Sequence, residues 1–170
     1  MLAMSMLLAS TRVEGAGLDI PIVFVQEPVS DAAQAGRLYP GAAAEGSRVV
    51  RLDPDGTLTV LTEAFASAAD PCVSFDGRRL LFAGKRESTD SWNIWVMEAG
   101  GGEATQTTRG LGDCREPVYL AKAAVDAPDF SNKVRWISFA STAPGGGNDQ
   151  GTGPVTSLYA MSLQPVPGRG

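Results

Sequence analysis

Cys72 and Cys114 are the residues of this chain with the most reactive side chains, so they are weighed first. A cysteine nucleophile works as the thiolate and needs a neighbouring base or cation to form it. The usual base is histidine, and the chain contains none. That absence removes Ser-His-Asp and Cys-His arrangements, histidine metal sites and Cys-x-x-Cys-His haem attachment together. Carboxylate pairs and lysine bases stay open, but no catalytic residue is assigned. The cysteines keep two readings. They form a disulfide between neighbouring structural units, which needs Cα atoms within about 7 Å and an oxidising compartment. Or they are separate thiols, with Cys72 packed as a small hydrophobe.

Other motifs weaken on inspection. Asp53-Pro54-Asp55-Gly56 resembles the start of a calcium loop, but a strand-like "TLTVLTE" follows where further ligands and a terminal Glu are needed. It reads as a turn, and no metal site is expected. "GGGNDQGTG" (145–153) lacks the Lys-Ser/Thr and the following helix of a phosphate loop. No cofactor is expected. "KRESTDSWN" (85–93) is a polar connection around Trp92. Trp92 either packs or stacks on a sugar or peptide at a surface. With Arg86 and Arg115 it forms the candidate binding set. Asp70, Asp76, Asp113 and Glu116 are expected to accept bonds from turn and loop amides rather than to move protons.

The chain that must position these residues has 170 residues, 44% of them hydrophobic, enough for a real core. Gly (20) and Pro (11) are abundant, which favours short strands and many turns. A net charge of −5 disfavours nucleic acid as a partner. No apolar run is long enough to span a bilayer as a helix, so no membrane insertion is expected. Leu2 to Ala9 is signal-like but lacks a positive leader; it is equally a strand or helix remnant. Residues 1–18 are read as signal-like or disordered.

A repeat organises the rest. Residues 47–75 overlay 93–121 without a gap. Gly56 falls on Gly102, Thr62 on Thr108 and Pro71 on Pro117, each 46 residues apart; Val49-Val50 fall on Trp95-Val96. Each copy reads as apolar strand, glycine turn, Thr-rich strand, a polar connection ending in an acid before Pro, and a new strand. Leu80 to Phe82 is a continuous apolar run after Asp76-Gly77, with Phe24 and Phe139 falling on Phe82. "SLYAMSL" (157–163) falls on "NIWVMEA" (93–99). No amphipathic helical segment of adequate length intervenes. A four-strand unit with a period in the forties is the signature of a β-propeller blade.

These residues also carry a family resemblance. Pro71, Asp76-Gly77, Leu80 to Phe82, Arg86, Ile94 to Met97, Gly101-Gly102 and Thr107-Thr108 resemble the TolB-like propeller repeat. "DCREPVYL" (113–120) is most similar to the propeller domain of hydrazine-synthase-alpha-like proteins. The haem motifs of that family are absent, so its chemistry is not carried over. "AKAAVDAPDFSNK" and "APGGGNDQGTGP" stand as insertions in the last copy.

The expectation is therefore an all-β fold, a partial β-propeller of antiparallel four-stranded blades. A partial first blade occupies 19–67, a complete blade 68–113, and an incomplete last blade with inserted loops 114–170. The resemblance implies a non-enzymatic surface for a protein or peptide in the cell envelope, periplasmic or secreted. A cytoplasmic place follows if the N-terminus is not a signal. The alternative is an accessory propeller of a larger enzyme, either a hydrazine-synthase-alpha-like redox protein or a propeller-bearing hydrolase. Propellers close with about four to eight blades. Further blades are therefore expected in a longer parent chain.

Overall fold

The computed structural model describes residues 19–28, 43–121, 135–143 and 156–163. They form ten strands in three antiparallel sheets, with no helix among the described residues. The first sheet orders β1 (Ile22–Gln26), β2 (Arg48–Leu52) and β3 (Leu58–Val60). The second holds β4 (Ser67–Val73), β5 (Arg79–Lys85), β6 (Asn93–Glu98) and β7 (Thr105–Gln106). The third holds β8 (Cys114–Tyr119), β9 (Trp136–Ser141) and β10 (Ser157–Ser162). This is a partial β-propeller: one four-stranded blade between two three-stranded ones. The N-terminal segment and most of the two inserted loops fall outside the described residues.

Alternation along β5 explains why its apolar run is unbroken. Side chains of a strand point to opposite faces in turn. Leu80 and Phe82 enter a core shared with Val49 of the first sheet, Trp95 and Met97. Leu81 and Ala83 enter a second core with Ile94, Cys114, Tyr119, Ile137 and Phe139. The middle sheet is thus covered on both sides, and Leu80 to Ala83 are fully buried. Gly84 follows because no side chain fits there: an added Cβ would lie 2.9 Å from the Phe65 ring.

Turns stand where their residue types require. Gly77 takes φ 70° between β4 and β5, and Gly101 and Gly102 take φ 97° and 119° between β6 and β7. Two buried threonines close the blades alike. Thr62 Oγ1 accepts the Val49 N–H at 3.0 Å, and Thr108 Oγ1 accepts the Ile94 N–H at 2.8 Å.

Two expectations are corrected. The gapless overlay slips in β2. Val50 faces Val60 as Trp95 faces Gln106, so Val49-Val50 match Ile94-Trp95, one residue from the expected partners. The turns are the cause. Nine residues (51–59) separate the paired Val50 and Val60, whereas ten (96–105) separate Trp95 and Gln106. An odd and an even count cannot give one register. Phe24 and Phe139 keep their match to Phe82, since they pair with Val50 and Tyr159 as Phe82 pairs with Trp95. The second correction concerns Asp70-Pro71, expected to open a strand. Strand β4 already begins at Ser67, and Asp70-Pro71 forms a bulge within it.

Candidate functional site

The bulge is where the chain does most to position polar side chains. Between the pairs Ala69–Ala83 and Cys72–Leu81, β4 advances one residue more than β5. Strand β8 repeats this between Arg115–Ala140 and Val118–Ser138. Both extra residues sit before a proline and take positive φ, 53° at Asp70 and 54° at Glu116. Such angles are uncommon outside glycine and persist only where surroundings hold them. Proline has no N–H to miss in the broken ladder.

At Asp70 the holding contacts are explicit. Arg115 Nε donates to Asp70 Oδ2 at 2.6 Å and Nη2 to Oδ1 at 3.2 Å. The Glu116 N–H, released from its ladder by the second bulge, donates to Asp70 Oδ2 at 3.0 Å. One carboxylate therefore receives a two-pronged guanidinium and a backbone donor from the next blade. The pair is about four-fifths buried. Glu116 occupies the corresponding place on β8, and its side chain is exposed.

Trp92 lies under this ion pair. Arg115 stands 4.3 Å from the Trp92 ring centroid and the Lys85 ammonium 5.7 Å. The Trp92 N–H donates to Asp113 Oδ1 at 2.8 Å, while its carbonyl accepts the Cys114 N–H at 2.8 Å. A similar staple joins the first two blades: Gly46 N donates to Ser67 Oγ at 2.9 Å, and Ala68 N to Ser47 O at 2.8 Å. Asp113 N in turn donates to Thr142 Oγ1 at 2.8 Å. The structure thus brings together Trp92 and Arg115 of the three candidate binding residues. Arg86 stands apart on the other core, 4.2 Å from the Phe65 centroid and 4.9 Å from that of Trp95.

Of the two readings of the cysteines, the Cys72–Cys114 bridge is not formed; both are free. The overlay that matches Pro71 to Pro117 matches Cys114 to Ala68, not to Cys72. The two cysteines therefore stand at different heights on neighbouring strands. The Cys114 thiol approaches the carbonyls of Leu111 and Gly112 at 3.7 and 3.9 Å. Burial raises its pKa above the ordinary thiol value, which makes it a poor nucleophile.

Asp76 marks the opposite end of the strands. It accepts from Ser74 Oγ at 2.6 Å and from the Arg78 N–H at 3.2 Å, and Arg135 Nη2 of the third blade reaches it at 3.0 Å. The Ser74 hydroxyl above all, then Arg78 N–H and the charge of Arg135, hold its carboxyl below the ordinary value. Asp76 and Asp113 accept loop amides, whereas Asp70 lies within a strand and accepts the amide of Glu116 in the next strand, and the Glu116 side chain is exposed. Sequence reasoning missed the pairing of Asp70 with Arg115, 45 residues away. Its only trace was an acid before proline recurring at the repeat distance. Chemically the arrangement is a joint: charged and aromatic groups of neighbouring blades satisfy one another.

No protein-family model matches the chain. Over 116 residues it is 37% identical to hydrazine synthase subunit alpha of Kuenenia stuttgartiensis, a match covering 68% of this chain and 14% of that protein. The solved Kuenenia stuttgartiensis hydrazine synthase superposes with a TM-score of 0.66 at 29% identity, over 83% of this chain and 20% of that one. The chain is homologous to a portion of that subunit and spans about a seventh of its length.

Proposed function

We propose that this chain supplies blades of an accessory propeller domain in a larger enzyme of the hydrazine synthase alpha kind. The carrying observation is the 37% identity over 116 residues, concentrated in a piece that amounts to 14% of the relative. The blades hold parts of the enzyme in place and contribute no reacting group. Supporting this, the conspicuous polar residues are spent on blade-to-blade contacts. Asp70 is occupied by Arg115, and Trp92 lies beneath Arg115 and beside Lys85. Glu116 repeats the geometry of Asp70 and faces solvent, which suits an arginine and an amide from a following blade. The partner in this reading is the remainder of the parent protein rather than a separate peptide. With both thiols free, no disulfide demands an oxidising compartment.

The test has two arms. The isolated chain should form no hydrazine, and deleting its segment from the parent protein should abolish assembly of the active enzyme. Hydrazine formation by the isolated chain, or full activity of the deleted parent, would overturn the reading.

A further inference from the structure

The end of the blades marked by Asp76 holds two donors with nothing to donate to. Tyr119 Oη and Arg135 Nη1 are buried atoms without a hydrogen-bond partner, and they do not bond to each other. Tyr119 is only 8% exposed. Their neighbourhood follows from the register. Tyr119 on β8 faces Ile137 on β9, and Arg135 lies two residues before Ile137. The two are therefore diagonal neighbours on one sheet face, within reach of each other's long side chains. That face is turned toward the middle blade, since Arg135 Nη2 meets Asp76 and Tyr119 packs in the shared core.

Orphaned buried donors are costly and call for an acceptor. The nearby carboxylate does not supply one. Asp76 Oδ1 is taken by Ser74 and Arg78, and Oδ2 by Arg135 Nη2. The tyrosine does not supply one by ionising either, because burial pushes its pKa up to about 12. It stays a neutral O–H donor. Arg79 adds positive charge close by, its guanidinium only distantly held by Glu98 at 3.9 Å.

We propose that a small monovalent anion of halide size binds between the Tyr119 hydroxyl and the Arg135 guanidinium, at the junction of the middle and third blades. The ligand is small because Tyr119 and the fully buried Ile137 share one packed core. It is anionic because the Arg135 guanidinium is a cation that only donates, and the neutral Tyr119 hydroxyl holds a proton to donate to the same acceptor. The bound ion ties the two blades together alongside the Arg135–Asp76 pair.

The experiment uses sodium chloride as the probe, with sodium gluconate as the ionic-strength control. Binding is read from broadening of the chloride-35 NMR signal, and blade cohesion from the melting temperature. Chloride, and not gluconate, should broaden the signal and raise the melting temperature. Tyr119→Phe removes the hydroxyl alone and should weaken chloride binding about tenfold or more. Arg135→Lys keeps the charge and checks that the loss is not a general collapse; it should bind chloride more tightly than Arg135→Gln. The proposal falls if chloride and gluconate act alike, the behaviour of a buried water at this position. It also falls if Tyr119→Phe, folded by circular dichroism, broadens the signal as the parent chain does.

Discussion

The middle blade and the first blade carry matching strands, yet they live in different surroundings. Phe82 and Phe24 hold equivalent ladder positions, opposite Trp95 and Val50. Phe82 is fully buried between two sheets, whereas Phe24 is 36% exposed on a face with no described sheet against it. The same residue type at the same register is core in one copy and surface in the other. A propeller strand therefore draws its stability less from its own sheet than from the sheet stacked on it. The third blade extends the point. Leu81, Ala83, Ile94 and Val96 on the middle blade pack toward it. On its own outward side, the counterpart of Ile94 is Leu158, 79% exposed.

The contrast can be broken most forcefully at the phenylalanines. Phe82→Ala should cost about 3–5 kcal/mol in denaturant unfolding, through lost burial and the cavity left behind. Phe24→Ala should cost less than about 1.5 kcal/mol. Equal losses would show that the first blade is covered after all. The threonine clasps predict the reverse pattern, sameness. Thr108→Val and Thr62→Val each orphan a buried backbone N–H, and each should cost about 1–3 kcal/mol. A much smaller loss at Thr62 would mean that the first blade frays on its own.

The bulge acids give a finer comparison. Asp70→Asn weakens a charged, two-pronged contact and should cost about 1–2 kcal/mol, allowing for its partial exposure. Glu116→Gln should lie within about 0.5 kcal/mol of the parent. In a longer protein with a following blade, the Glu116→Gln loss should rise toward that of Asp70→Asn. The smallest effect concerns pH. Asp76 has its pKa lowered in the folded state, so its ionised form stabilises the fold above the ordinary value near 3.8. That contribution should fade as pH falls through the folded value, below 3.8. Carboxyl NMR titration should place the midpoint under 3.8, and Asp76→Asn should remove this part of the acid response.

Much of this was legible in the residues. Asp76-Gly77 and Gly101-Gly102 mark turns because their backbones accept positive φ without a neighbour's help. The apolar run at Leu80 to Phe82 announced a strand buried on both faces because nothing polar interrupts it. What escaped was anything decided by counting across a turn or between sheets. The slip of β2 depends on one residue more or less in a hairpin, a difference that matching glycines conceal. The cysteines looked like a staple because both sit near a proline, but strand height rather than proximity in the motif decides whether thiols meet. Trp92 looked available because its neighbours in sequence are polar; Arg115, 23 residues on, covers it.

The all-β class, the repeat, the strands and their glycine turns are written in local stretches of the chain. Each of these rests on local backbone preference and on alternation along one strand. Tertiary structure alone decided that Asp70 and Glu116 are bulges with strained backbones, that Asp70 holds Arg115, and that the cysteines stay apart. It also left Tyr119 Oη and Arg135 Nη1 without a protein hydrogen-bond partner. These outcomes depend on which blade lies against which, and on how far each strand has slid. A charge or a thiol cannot encode that in its own neighbourhood, because its partner is brought to it only when sheets stack.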